Sequence, residues 1–188
     1  MPLNHTSIYS ELTDEHFTTI GKIVVEWSNI ESLICVLLSR LLVTPEFLAR
    51  SYTDHMSAAK LQDAIQEGVG IHRERYNGEL ISMLKLNQII DINERITALR
   101  ATRNKFAHFC WIRESDETIL GTSFSGGSPG SKKHNKSFIA FTTSELSNFY
   151  KNAYELVEEL SSLIETLPEM TEDGLKSKIT YPQSQLIK

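Results

Sequence analysis

The sequence predicts an all-α fold, an up-and-down bundle of four to five helices with a small β-hairpin insert before the last helix. Three observations lead there. Long stretches free of Gly and Pro repeat apolar residues at three- and four-residue steps, which is the period of a helix with one buried face. The breaks between these stretches are short and built from Pro or Asn-Gly. Only residues 111–142 change character, to brief β-branched and aromatic runs around a segment rich in Gly and Ser. With 188 residues, 40% of them hydrophobic and 23% charged, the chain suits one domain with a single sizeable core. That core is expected over about residues 14–167, leaving 168–188 as a polar, flexible tail.

The elements follow in order. Asp14 to Leu42 has helical period, with Thr13 as N-cap and Ile20, Ile23, Trp27, Ile30, Ile34, Leu38 and Leu41 on one apolar face. Thr44-Pro45 supplies a cap and a first-turn proline for a short helix around residues 46–52. Ser57 opens a third helix that runs to about Arg75, and Asn77-Gly78 breaks it. From Glu79 to about Phe109 there is neither Gly nor Pro, so one long helix is expected. Residues 111–113, 118–124 and 137–142 read as short strands, and SGGSPGSKKHNK between the last two as a loop with a basic tip. Thr142-x-x-Glu145 is a capping box for a final helix ending before Pro168, with Leu146, Phe149, Ala153, Leu156, Val157, Leu160 and Ile164 inward.

Composition narrows the function classes. A net charge of −5 supplies no global field for nucleic acid, so any such contact has to come from a local patch. Cys35 and Cys110 lie in apolar runs without C-x-x-C spacing and are expected as buried free thiols in a reducing compartment. The N-terminus carries no basic segment followed by an apolar one, so no signal peptide is expected. The most apolar run, LICVLLSRLLV at 33–43, is about half a bilayer span and contains Arg40, so it reads as a core helix of a cytoplasmic protein without a membrane. No metal-ligand spacing, Gly-rich phosphate loop, serine or cysteine nucleophile setting or paired-carboxylate site is found, so neither metal nor cofactor is expected.

The stretch that does not fit plain packing is RATRNKFAHFCW, residues 100–111, at the end of the long helix. On a helical wheel Ile89, Ile92, Ile96, Leu99 and Phe106 share an apolar arc with Arg103 in its middle, and Asn93, Thr97, Arg100, Asn104 and His108 form a polar stripe beside it. Arg103 lies ~140° from His108 on an ideal helix, so the two converge through arginine's reach, a loosened last turn or a second copy of the chain. A guanidinium presents a rigid fork of donors that suits a phosphate. A histidine at a helix C-terminus can move a proton near neutral pH. An amide such as Asn104 can orient the imidazole or donate to an oxyanion. Arg103, Asn104 and His108 are therefore the candidate catalytic residues, and together they suit cleavage of RNA by attack of the 2′-hydroxyl on the adjacent phosphate.

Arg103-Asn104-Lys105-Phe106-Ala107-His108 resembles the signature of the higher eukaryotes and prokaryotes nucleotide-binding (HEPN) superfamily: Arg, a polar residue, a few residues, then His at the end of a long helix. A first helix of the form EWSNIESLICVLLSRLL, a hairpin after the histidine and a capped last helix opening FTTSELSNFY also look like one branch of that superfamily, so the likeness spans about residues 14–167. Phe109, Cys110 and Trp111 depart from it, since a small residue often follows the family histidine. The resemblance implies a metal-independent endoribonuclease, a homodimer with its two motifs facing a shared groove, in a toxin–antitoxin or other defence setting with an antitoxin or other regulatory protein as partner. It also leaves room for relatives that have lost catalysis, so the alternative is a dimeric helical module that binds a partner protein or a nucleotide without cutting.

Other residues take supporting places. Glu31 falls in the centre of the first helix's apolar face, where a carboxylate needs a partner, and Arg103 or Arg100 is the natural one. Lys105, Lys132, Lys133 and Lys136 are candidate contacts to RNA phosphates, against the plainer role of solvated charges. A second Arg-x4-His, Arg50 to His55, is set aside because Ser51 replaces the amide and the segment is short and precedes a helix.

Overall fold

The computed structural model describes residues 9–125 and 135–178. They form six helices and three strands: α1 (Asp14–Leu41), α2 (Glu46–Thr53), α3 (Ala58–Arg75), α4 (Met83–His108), β1 (Cys110–Arg113), β2 (Thr118–Ser125), β3 (Asn135–Thr142), α5 (Thr143–Glu165) and α6 (Glu172–Lys178). The chain is mostly helical. No single described helix is long and apolar enough to cross a membrane. Two compact units divide it: Met1–Ile30 with Ile96–Val157, and Glu31–Arg95 with Glu158–Lys188.

The first unit is built where helix meets sheet. Thr13 opens α1 as expected, its hydroxyl accepting from the His16 N–H at 3.2 Å. His16 closes the reciprocal bond, its Nδ1 accepting from the Thr13 N–H at 3.3 Å, so a histidine stands where a capping box usually has a carboxylate. Leu12, Ile23, Phe106, Ile119 and Leu146 form a buried cluster, with Ile20, Trp111, Phe141, Phe149 and Tyr150 packed against it. The sheet is a correction to the hairpin expected from sequence. It has three antiparallel strands in the order β1-β2-β3, with Trp111 opposite Gly121 and Ile119 opposite Phe141. The Arg113 N–H donates to the Ser10 carbonyl at 2.8 Å, which occupies part of β1's outer edge. Alternation along β1 turns Trp111 inward and leaves Cys110 exposed, so only Cys35 of the two free thiols is buried. Burial pushes the Cys35 thiol above its ordinary range, which makes it a poor nucleophile.

Gly121 is needed for that inward turn. A Cβ there would stand 2.6 Å from the Trp111 ring, whose neighbours Phe106 and Phe141 at 5.3 and 5.9 Å block retreat. Gly121→Ala is expected to cost about 1–3 kcal/mol, the usual penalty of overpacking, measured by urea unfolding.

The capping box of α5 is complete. Glu145 Oε2 accepts from the Thr142 N–H at 2.8 Å and from its hydroxyl at 3.0 Å, while the Thr142 hydroxyl accepts from the Glu145 N–H at 3.1 Å. The Thr142 N–H first, and its hydroxyl second, hold the Glu145 carboxyl below its ordinary value. A carboxyl depressed in the folded state contributes stability that is present above its unfolded pKa and is lost as pH falls through the folded one. Thermal melts of wild type and Glu145→Gln should therefore differ at neutral pH and converge as pH drops below the ordinary carboxylate range. A constant gap down to strong acid would contradict the depression.

The second unit buries Ile34, Leu37, Leu38, Leu41, Leu61, Ile65, Val69, Leu86, Ile89, Ile92 and Leu160. Ser57 caps α3, accepting from the Lys60 N–H at 3.4 Å. Pro45 itself stands at the N-cap of α2 with no side-chain cap, because the Thr44 hydroxyl turns back to donate to the Leu42 carbonyl at 3.0 Å. Asn77 and Gly78 both take positive φ, 46° and 76°, and give the turn that separates α3 from α4. Helix α4 begins at Met83, four residues after the expected Glu79, since Ser82 offers the first side-chain acceptor, to the Lys85 N–H at 3.5 Å. Asn93 is buried and exchanges amide bonds with Gln62: its Nδ2 donates to the Gln62 carbonyl at 3.1 Å, and Gln62 Nε2 to the Asn93 carbonyl at 2.9 Å. It is a packing residue and leaves the polar stripe. Within the segment read as a flexible tail, α6 forms over Glu172–Lys178, with the Thr171 hydroxyl accepting from the Gly174 N–H at 3.0 Å. Residues 179–188 lie outside the described residues.

Candidate functional site

The motif residues stand on the last two turns of α4, which ends at His108. Phe106 fixes that end. Its side chain is 7% exposed and its ring lies 5.1 Å from Phe141, 5.3 Å from Trp111 and 5.6 Å from Phe149. The Trp111 indole N–H donates to the Phe106 carbonyl at 3.3 Å, and the Phe109 N–H closes the helix on the Lys105 carbonyl at 2.9 Å. With residue 106 anchored, residues 104, 107 and 108 turn outward: Asn104, Ala107 and His108 are exposed.

Arg103 is half-buried, with its guanidinium carbon 5.5 Å from the centre of the Trp27 ring. Its Nη1 reaches the Asn104 side-chain oxygen at a long 3.5 Å, and its Nε is buried with no partner. Arg100, one turn earlier and half-buried, also keeps a buried, unpartnered nitrogen, Nη1. Four of the other six arginines differ. Arg40, Arg50, Arg95 and Arg113 each sit on a carboxylate, at 3.1, 3.0, 2.6 and 3.6 Å. Among the described residues, Arg73, Arg75, Arg100 and Arg103 have none, and Arg73 instead donates to the Asn87 side-chain oxygen at 2.6 Å. Two neighbouring half-buried guanidinium groups without a counter-ion hold positive charge in a chain of net charge −5.

Glu31 corrects one expectation. It is half-exposed rather than sunk in the apolar face, and no ion pair of Glu31 occurs among the described residues. Solvent can reach its carboxylate, so no internal partner is required. Lys105 is half-buried near the site. Lys132 and Lys133 lie outside the described residues, and Lys136 is placed only through its backbone pairing with Phe124. The discarded Arg50–His55 spacing is occupied structurally: Arg50 donates to Glu46 at 3.0 Å and also meets Asp54 and Ser32. Sequence reasoning did not single out Trp27 for the site. Its signal was available, as an indole on the buried face of α1 and an arginine in the middle of the facing apolar arc of α4.

The structure thus brings together Arg103, Asn104 and Trp27, and puts His108 one turn beyond Asn104 on the exposed side. Among the described residues no group of three or more His, Cys, Asp or Glu side chains is gathered closely enough to hold a metal ion. No protein-family model, no curated protein and no solved structure matches this chain.

Proposed function

We propose that the chain is a metal-independent endoribonuclease of the HEPN type, built as a helical bundle and acting as a homodimer in a toxin–antitoxin or other defence setting. The observation that carries the proposal is the pair of uncompensated arginines, Arg100 and Arg103, eight and five residues before an exposed histidine at the end of the same helix. An arginine already matched by a carboxylate has little left for a phosphate, and these two are unmatched. In the reaction the 2′-oxygen of a ribose forms a bond to the adjacent phosphorus and the bond to the 5′-oxygen breaks. His108 takes the proton from the 2′-hydroxyl or supplies one to the departing 5′-oxygen. Arg103 balances the charge that grows on the phosphorane oxygens, and Asn104 adds a donor. A dimer provides two His108 side chains, one for each proton, and removes the need for Arg103 and His108 of one chain to meet.

A second reading, a non-catalytic dimeric module that binds a partner protein or nucleotide, draws support from one observation. The described contacts of Arg103 are to Trp27 and Asn104, and none is to His108. The experiment separating the two is incubation with total RNA and a tRNA pool in EDTA. Fragments ending in 2′,3′-cyclic phosphate, made by wild type and absent with His108→Ala, support the nuclease. No cleavage by a clean dimeric wild type supports the module.

A further inference from the structure

Trp27 is 2% exposed on α1, and Arg103 lies over its ring at 5.5 Å. Aromatic faces attract guanidinium groups through the ring quadrupole, and indole does so best. Such a support differs from a carboxylate in one respect that matters at a phosphate site. A carboxylate would cancel the charge it positions, whereas a ring fixes the group and leaves its full charge outward. The chain uses carboxylates to hold four other arginines and uses a ring here. Trp27 is also firmly placed: it belongs to the buried face of α1 that includes Ile23 and Ile30, both fully buried. Arg103's alternative tether, Asn104 at 3.5 Å, is too long to fix it alone.

We propose that Trp27 is the positioning residue of the phosphate site, the shelf that orients the Arg103 guanidinium toward a nucleic-acid phosphate without neutralising it. The proposal rests on the reading that Arg103 meets substrate phosphate, and it concerns binding before any bond is broken. Trp27 touches no reacting atom and acts only through Arg103. Its loss therefore has no further effect once Arg103 is gone.

The test is a double-mutant cycle on affinity for a fluorescein-labelled 2′-deoxy oligonucleotide, which has no 2′-hydroxyl and cannot be cut. Arg103→Ala should weaken binding about tenfold, in line with the loss of a charge-assisted contact. Trp27→Leu should weaken it about fivefold in the wild-type background and leave it unchanged in the Arg103→Ala background. Trp27→Phe, which keeps a ring face, should bind within about twofold of wild type. Thermal melts accompany each variant, because Phe and Leu both open space in the core and lower stability, whereas only Leu removes the shelf. Equal weakening by Trp27→Leu with and without Arg103 would overturn the proposal, as would wild-type affinity in Trp27→Leu. If Trp27→Leu does not fold, the proposal is decided by Trp27→Phe: near wild-type affinity at lowered stability supports it, and loss matching Arg103→Ala overturns it. Failure of oligonucleotide binding by the folded wild type also overturns it. Coupled binding without RNA cleavage sinks the nuclease and leaves the shelf, and cleavage without coupling does the reverse.

Discussion

On the proposed nuclease reading, replacing His108 by Ala should lower the rate of RNA cleavage by about 10²–10⁴-fold, the range set by losing one positioned proton-transfer group. The protein should remain folded. His108 is exposed at the last residue of α4 and makes none of the ring contacts that anchor that helix end. A surface substitution away from caps and core shifts stability by about 0.5 kcal/mol or less. The loss should sit in kcat, with KM little changed, because proton transfer is needed in the transition state and not for holding the strand. The inert-oligonucleotide affinity of His108→Ala should accordingly match wild type. Arg103→Ala should behave differently, losing affinity and rate together, since a phosphate is present in both ground and transition states. Full activity in His108→Ala would remove the histidine from the mechanism. A parallel loss of binding would make it a phosphate contact instead of a proton carrier.

The helices were legible because their signals are local. Thr13, Ser57 and Thr142 stand at the starts of α1, α3 and α5 and each caps its helix. Asn77-Gly78 turns between α3 and α4 with both residues at positive φ. Residues 111–113 were legible as a strand but their partner was not, because the ESDE turn that joins β1 to β2 carries no Gly or Asn to mark a tight hairpin. Glu31 and Cys110 show the same limit. Helical or strand period says which residues share a face, but half-exposure is decided by what packs alongside, and that is a property of distant segments. The site divides likewise. The Arg103-to-His108 spacing and its place at a helix end are sequence facts, while the missing counter-ions of Arg100 and Arg103 and the Trp27 ring are visible only in three dimensions.

Phe106→Ala should be the most destabilising single change near the motif, by about 3–5 kcal/mol, the range for truncating a buried phenylalanine. Its ring contacts Trp111, Phe141 and Phe149 at once, so truncation opens a void between α4, the sheet and α5 that rigid aromatic neighbours fill poorly. Against a usual domain stability of about 5–15 kcal/mol, that is a large share. Phe106→Leu keeps most of the volume and should cost clearly less. Denaturant unfolding followed by Trp fluorescence measures both, with Trp111 as a reporter inside the cluster. Activity should follow a different order. Phe106 lies between Arg103 and His108 in sequence and its burial is what turns His108 outward, so Phe106→Leu, still folded, should lose cleavage out of proportion to its stability. If Phe106→Leu cuts RNA at the wild-type rate, the aromatic cluster holds up the fold alone, and the position of His108 is set by the helix without it.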